Sequence, residues 1–299
     1  MTKLLERMRE ELVRRNYAEN TIHSYLHIVE DFHQYAGKRL DYVGPDDLRR
    51  YHAHLLEERK LAVRTVVQRV AAVRFLYCKT LKRRDMKEDL PYPRNYRRRL
   101  PVILSSDEVA RLIDSARNLY HRALLMTLYS CGLRRIEACR LKVSDIDSQR
   151  MMLRVTHGKG GVDRDVPLSP KLLETLREYW RWMRPKTYLF PGIENGWRVD
   201  RPITAKMAWV AVDFAAKRAG ITKRVSPHIL RHSYATHQLE AGMDLKTLQV
   251  LLGHDDLATT SRYLHLSKKH LQAVATPLDR IGMKPPAQVP RSRRLRKPE

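Results

Sequence analysis

The chain has 299 residues and carries 58 Lys and Arg against 33 Asp and Glu, which gives a formal net charge of +25. This excess of basic residues predicts a nucleic-acid-binding protein, because phosphate backbones attract clustered basic side chains. The alternative is a basic protein of the ribosomal or chaperone type, but such proteins are usually smaller and have sequences of lower complexity. Charged residues begin at Lys3, too early for a secretory signal peptide, and no segment reaches the roughly 18 apolar residues of a membrane span.

Residues 1–90 are predicted to form a helical domain. Apolar residues recur at helical spacing in four segments, and the last three begin near Asn20, Pro45 and Thr65. The polar faces of these segments are strongly basic. Residues 91–101 are predicted to form a linker, because three prolines bracket a run of arginines and proline does not continue a helix.

A second domain is predicted over residues 102–282, and it begins with a helix. Ser105 and Glu108 have the spacing of a capping box, in which each side chain bonds the backbone N–H of the other residue. Most of the domain has helical periodicity, but residues 151–168 have the pattern of a strand, a turn and a second strand. Lys159 lies at the glycine-rich tip of this hairpin, where glycine permits a tight and mobile turn.

Residues 120–140 are predicted to form an apolar helix that ends in Gly132-Leu133-Arg134, followed by a further turn of helix. Arg134 lies among apolar neighbours, where a charge is costly without a partner, and Glu137 is three positions further on. A structural Arg–Glu pair is the alternative to a functional arginine. Cys131 and Cys139 are expected two turns apart on one face of this helix, too far apart to form a disulfide within it.

The predicted fold class is mainly α with a small β-hairpin. An N-terminal helical domain is followed by a mixed α/β, mostly α, domain, and residues 283–299 form a basic tail that we expect to be disordered. The three cysteines form no metal pattern and no even disulfide set, which indicates a reducing, cytoplasmic compartment.

Ser226 and Pro227 predict the start of a helix, with the serine as N-cap and the proline at the first helical position. His228 and Arg231 then lie on one face of the first turn, where the helix terminus attracts anions. A histidine for proton transfer and an arginine for charge suit a phosphodiester; a surface His and Arg on an ordinary helix is the alternative. A zinc site at His228 and His232 is disfavoured, because no third ligand is evident.

Gly253 is predicted to end a helix, so His254 emerges just beyond it. Tyr263 is expected on the next helix, which we predict to begin near residues 255–256. A tyrosine alone carries little information, since most tyrosines serve packing.

These features occur together and in one order: Gly-Leu-Arg, Gly-Lys-Gly, His-Ile-Leu-Arg, Leu-Gly-His and then a tyrosine nine residues later. In this combination the chain resembles the tyrosine recombinases of the phage-integrase family over nearly its whole length. Its length resembles that of a simple two-domain recombinase, either of the Xer type or carried by a transposon or integrative element. The resemblance implies a core-binding domain over residues 1–90 and a catalytic domain over residues 102–282.

The resemblance also implies roles for individual residues. Tyr263 would attack a scissile phosphate and form a 3′-phosphotyrosyl bond, and strand exchange would pass through a Holliday junction. Arg134 and Arg231 would clamp the phosphate, and Glu137 would support them. Arg135 remains a rival to Arg134, because the family commonly has an apolar residue at that position.

Three further residues would act on protons or hydrogen bonds. Lys159 would protonate the leaving 5′ oxygen, His228 would act as the acid–base histidine, and His254 would hydrogen-bond the phosphate. The family often has a second lysine where this chain has Val162. The resemblance implies no metal and no cofactor, because the arginines stabilise the charge and the phosphotyrosine conserves the bond energy.

The implied partner is double-stranded DNA with specific recombination sites, held by the two domains as a clamp, with four protomers on paired sites and no membrane partner. Residues 271–281 could pack on a neighbouring protomer, and a second recombinase or an accessory protein could be required. The chain would act in the cytoplasm, at the nucleoid. Rival functions are a type IB topoisomerase-like enzyme or telomere resolvase, a non-catalytic DNA-binding protein, and a nuclease that forms no covalent intermediate.

Overall fold

The structure, a computed structural model, describes residues 2–93, 101–156, 163–194, 196–254, 256–261 and 263–264. The chain divides into two compact units, Met1–Arg99 and Leu100–Glu299. In these described ranges, no helix has both the length and the apolar composition needed to cross a membrane.

The N-terminal unit is helical, and the four helices expected from the apolar spacing are confirmed: α1 (Thr2–Arg14), α2 (Glu19–Ala36), α3 (Pro45–Ala53) and α4 (Val63–Phe75). Helices α3 and α4 each continue into a π-helical turn. The start of α3 follows from its sequence, because Pro45 occupies the first helical position and the Asp47 carboxylate accepts the Gly44 N–H at 2.9 Å.

The C-terminal unit contains eight helices among its described residues: α5 (Ser106–Asp114), α6 (Leu119–Ser130), α7 (Arg135–Arg140), α8 (Pro170–Met183), α9 (Ala205–Arg218), α10 (Pro227–Glu240), α11 (Leu245–Leu252) and α12 (Leu257–Ser261). The capping box before α5 is confirmed, since the Ser105 N–H donates to Glu108 at 2.8 Å and the Glu108 N–H donates to the Ser105 hydroxyl at 3.2 Å. Helix α6 forms the centre of the core and packs on α8 and α10.

The strand–turn–strand prediction is also confirmed. Strands β1 (Ile146–Asp147), β2 (Met152–Val155) and β3 (Arg164–Pro167) form an antiparallel sheet in that order. Val155 pairs with Arg164 at the end nearest the turn. The tip of this hairpin, with Lys159, lies outside the described residues.

A second hairpin was not predicted. Strands β4 (Pro191–Glu194) and β5 (Trp197–Pro202) pair antiparallel, so the expectation that the chain is helical after the first hairpin is wrong here. The sequence carried the signal, because the dipeptide Asn195-Gly196 favours a hairpin turn, and Gly196 has a φ of +82°. The prolines at both ends of the hairpin conceal the strand pattern.

The expected end of the apolar helix near residues 132–134, with a further turn of helix after it, is confirmed, because α6 ends at Ser130 and α7 begins at Arg135. Gly132 breaks the helix: it has a φ of +56°, and a Cβ there would lie 2.4 Å from the ring of Tyr234. Arg134 is therefore the N-cap of α7 rather than a residue inside a helix. For the same reason, Cys131 and Cys139 do not share a helix.

Candidate active site

The C-terminal end of α11 holds three arginines through three consecutive backbone carbonyls. The carbonyl oxygens of residues 251–253 accept, in that order, from Nε of Arg164 (2.7 Å), Nη2 of Arg231 (2.6 Å) and Nη2 of Arg134 (2.5 Å). The last carbonyls of a helix have no partner within it and carry the negative end of its dipole. They therefore fix cations that come from β3, α10 and the start of α7.

Glu137 joins the same three arginines from the other side. Its carboxylate accepts from Nη1 of Arg134 at 2.7 Å and from Nη2 and Nη1 of Arg164 at 2.7 and 3.1 Å. Nη1 of Arg231 is 3.8 Å away. Burial raises the pKa of Glu137, but the hydrogen bonds and charge of Arg164, and then those of Arg134, outweigh this effect and hold the pKa at about 2.

The cluster carries more positive than negative charge. Three guanidinium groups face one carboxylate, and the side chain of Arg231 is only 4% exposed. Burial, and then the charge of Arg134, lower the pKa of Arg231 to about 10, so it stays protonated at neutral pH. Unbalanced buried charge is costly, and planar guanidinium forks suit phosphate oxygens. The site is therefore suited to bind an anion.

His254 follows directly on the three carbonyls and contacts the arginines. Its Nε2 is 3.0 Å from Nη2 of Arg231, and its Nδ1 is 2.8 Å from the hydroxyl of Thr260. A guanidinium can only donate, so Nε2 accepts and the ring is neutral with its proton on Nδ1. The predicted helix end at Gly253 is confirmed by its φ of +59°.

Tyr263 is buried, at 2% exposure, beside His254. The two rings stack at 6.3 Å between centroids with an interplanar angle of 11°. The Tyr263 hydroxyl is 2.9 Å from Nδ1 of His232. The expectation that Tyr263 lies on a helix is wrong: α12 ends at Ser261, and the tyrosine lies in the following turn, where its N–H bonds the Thr260 carbonyl at 3.0 Å.

His228 lies in the first turn of α10, as predicted, with Pro227 at the first helical position. Ser226 occupies the N-cap position, but its side chain makes no capping hydrogen bond. Although much of its ring is accessible, partial burial, and then the charges of Arg231, Arg135 and Arg134, lower the pKa of His228. The lowered pKa favours the neutral form of the His228 ring.

The structure thus brings together five of the seven predicted residues through direct contacts, namely Arg134, Glu137, Arg231, His254 and Tyr263. The sequence reasoning missed two others. Arg164 had a signal, because it occupies an inward position of β3, in phase with the buried Val166. His232 was considered only as a zinc ligand, and its position next to Arg231 gave no further signal. Among the described residues, no group of three or more His, Cys, Asp or Glu could hold a metal ion.

Comparison with known proteins gives the same class for both units. Residues 103–270 match the model described as the phage integrase family, and residues 4–86 match its N-terminal SAM-like domain. A Sinorhizobium fredii protein with the provisional name integrase/recombinase y4qK is 44% identical over 97% of this chain and 93% of its own length. A tyrosine recombinase of Thermosipho africanus is 34% identical over 89% of this chain and 96% of its own length.

A lambda integrase tetramer bound to a Holliday junction shares the fold, with a TM-score of 0.70 at 18% identity, over 88% of this chain and 76% of that one. The class these findings define is a site-specific DNA recombinase of the tyrosine type. The chain belongs to the phage integrase family.

Proposed function

We propose that Tyr263 is the nucleophile of this recombinase and that it attacks a scissile phosphate in double-stranded DNA. The P–O bond to the 5′ oxygen breaks, a 3′-phosphotyrosyl bond forms, and a 5′ hydroxyl is released. The observation that carries this proposal is the buried phenol beside His254, which in turn contacts Arg231 in a cluster with excess positive charge. The non-bridging oxygens of a phosphodiester would supply the missing negative charge, and they are bonded to the phosphorus that the phenol would attack.

Arg134 and Arg231 would bind the non-bridging oxygens. Each guanidinium has five N–H groups, and the contacts described above use only some of them, so each can still donate to a phosphate. Their held positions limit the reorganisation needed when charge develops on the phosphorane. Glu137 would orient Arg134, and Arg135 is the rival clamp residue because its charge also acts on His228.

His254 would donate to a phosphate oxygen from Nε2 once that nitrogen is protonated, because a phosphate oxygen can only accept a hydrogen bond. His228, neutral beside three arginines, would accept or return a proton at the phosphate. Lys159 would protonate the leaving 5′ oxygen from the hairpin tip. None of these steps requires a metal or cofactor, because the arginines carry the charge.

We further propose that residues 1–90 form the core-binding domain, that residues 91–101 form the linker and that residues 102–282 form the catalytic domain. The two domains would clamp duplex DNA, and four protomers would act on paired sites through a Holliday junction, the substrate to which the lambda integrase tetramer is bound. We also propose that the protein acts in the cytoplasm at the nucleoid, because its substrate would be DNA and its free cysteines would stay reduced there.

The first test is a covalent adduct on nicked suicide duplexes tiled across the DNA that flanks the gene. The wild-type protein should give a protein–DNA band that survives SDS, and Tyr263→Phe should give none while it still binds DNA. An adduct in both proteins would assign the nucleophile elsewhere. If the protein binds DNA tightly but forms no adduct with any candidate partner protein or DNA pool, a non-catalytic DNA-binding function becomes the better assignment.

A matched pair of variants tests the clamp assignment. Arg134→Lys should reduce adduct formation by about two or more orders of magnitude, because lysine cannot present a planar fork. Arg135→Lys should retain most of the rate. The reverse ranking would transfer the clamp role to Arg135. Relaxation of supercoiled DNA without any sequence requirement would instead favour a topoisomerase-like enzyme.

A further inference from the structure

The hydroxyl of Tyr263 has a specific basic neighbour that the recombinase roles above do not use. Nδ1 of His232 lies 2.9 Å from the phenolic oxygen, within hydrogen-bond range, and the ring centroids are 5.5 Å apart. Helix α10 positions this histidine directly after Arg231, so the same turn that carries a buried guanidinium presents an imidazole to the nucleophile. A nucleophile within reach of a base is the arrangement that activates hydroxyl groups in covalent catalysis.

The other two histidines of the site are engaged differently. Both ring nitrogens of His254 lie within hydrogen-bond distance of other groups, Arg231 on one side and Thr260 on the other. His228 lies on the first turn of α10, where the charges of Arg231, Arg135 and Arg134 act on its ring. His232 lies one turn further along, at the buried phenol.

We infer that His232 is a further catalytic residue, the base that takes the phenolic proton of Tyr263 during strand cleavage. The inference rests on the proposed role of Tyr263 as nucleophile. In this role the ring is neutral with its proton on Nε2, so that Nδ1 accepts the phenolic hydrogen bond. As the phenolic oxygen bonds to phosphorus, its proton moves to Nδ1, and the 5′ oxygen leaves and takes a proton from the general acid. In rejoining, the 5′ hydroxyl attacks and returns its proton to the general acid, and the leaving phenolate recovers its proton from the His232 imidazolium.

The surrounding charge supports this transfer. Arg231 is close enough to Tyr263 for its positive charge to favour a phenolate over a phenol. The burial of Tyr263, at 2% exposure, limits the access of water, so a side-chain base is needed for the proton. General-base catalysis of this kind typically contributes about 10²–10⁴-fold to a rate.

The test uses full-length protein, a suicide duplex and the variant His232→Asn. The asparagine amide reaches the position of Nδ1 and can hold the hydroxyl by a hydrogen bond, but it cannot take a proton. We expect cleavage to slow by about 10²-fold or more with unchanged DNA affinity, and rejoining from the covalent intermediate to slow equally. The matched control is His237→Asn, because His237 lies on the same helix and contacts another phenol, that of Tyr129, at 2.8 Å; this variant should cleave at nearly the wild-type rate.

Two substitutions of the reactants separate a proton-transfer role from a structural one. Replacing Tyr263 by a difluorotyrosine makes the phenol more acidic, which should restore much of the rate in the His232→Asn background. A substrate with sulfur at the bridging 5′ position needs no proton on its leaving group, so it should not restore this variant. Cleavage by His232→Asn at or above the wild-type rate, or rescue by the sulfur substrate alone, would overturn the inference. Failure of the wild-type protein itself to form an adduct would instead reject the nucleophile role of Tyr263.

Discussion

Glu137 should be the most costly carboxylate to remove from the C-terminal unit, and the variant Glu137→Gln measures its contribution. The substitution keeps the shape of the side chain but removes the charge that Arg134 and Arg164 contact at 2.7 Å. The arginines would remain in place with no neutralising partner, and Arg164 is only 6% exposed. Removal of one partner from a buried ion pair typically costs about 3–5 kcal/mol.

The pKa gives a second route to the magnitude. A pKa lowered from 4.5 to about 2 corresponds, at about 1.4 kcal/mol per pH unit, to about 3 kcal/mol of stabilisation at neutral pH. Because the pKa of Glu137 is lower in the folded state, this contribution is fully present above about pH 4.5 and is lost as the pH falls toward 2. The free-energy difference between the wild-type protein and Glu137→Gln should therefore shrink on acidification.

Urea unfolding followed by tryptophan fluorescence suits this measurement, because all four tryptophans lie in the C-terminal unit, at positions 180, 182, 197 and 209. The control is Asp165→Asn, which removes an exposed pair with Arg154 at 3.3 Å and should cost about 0.5 kcal/mol. A loss below about 1 kcal/mol in Glu137→Gln at pH 7 would refute the reasoning. The α11 carbonyls alone would then be sufficient to hold the arginines.

Three other predictions follow from the same contacts. Arg164→Met should lower the free energy of unfolding by about 3–5 kcal/mol, measured by the same urea titrations. The double variant with Glu137→Gln should lose clearly less than the sum of the two single losses, because the two residues form one ion pair. Gly132→Ala should lower the free energy of unfolding by about 2–4 kcal/mol, because its φ is +56° and a Cβ would lie 2.4 Å from the Tyr234 ring. The control Gly37→Ala has a similar φ of +62° but no atom within 4 Å, so it should cost only about 1 kcal/mol. Unfolding followed by circular dichroism would measure both. The lowered pKa of His228 should rise when a DNA duplex binds, because a phosphate would neutralise the neighbouring arginines. NMR titrations of the imidazole with and without DNA would measure this change. An unchanged or lower pKa would contradict the binding of a phosphate near His228.

Local chemistry predicted the helix termini of the site well. Pro227 begins α10 and Gly253 ends α11 in the left-handed conformation, and both signals act within a few residues of the chain. The paired strands around the hairpin were also predictable, since alternation along a strand reflects its own two faces. These features needed no knowledge of distant residues.

The contacts that assemble the site were less accessible to sequence reasoning. Arg164 and Glu137 are 27 positions apart, and a buried arginine on a strand can be assigned a partner only when the packing is known. The helix end near Gly132 was predicted, but the close approach of the Tyr234 ring to this glycine was not, because that ring lies far along the chain on α10. Tyr263 was placed on a helix because local propensity does not reveal where a short helix stops; its buried turn depends on packing against α10 and α11.

The order of the chain explains why the positions of the arginine cluster and of Tyr263, the proposed nucleophile, depend on each other. Residues 251–253 provide the carbonyls that fix three arginines, and the next residue, His254, stacks on Tyr263. Gly253 meets both requirements, because its φ of +59° turns the chain out of α11 and its missing side chain leaves space for Arg164, whose Nη1 would lie 3.0 Å from a Cβ. A shift of this helix end would displace the arginines and the Tyr263 phenol together. The position of Tyr263 therefore depends on the same backbone that positions the arginines, and a side chain at position 253 should disturb both.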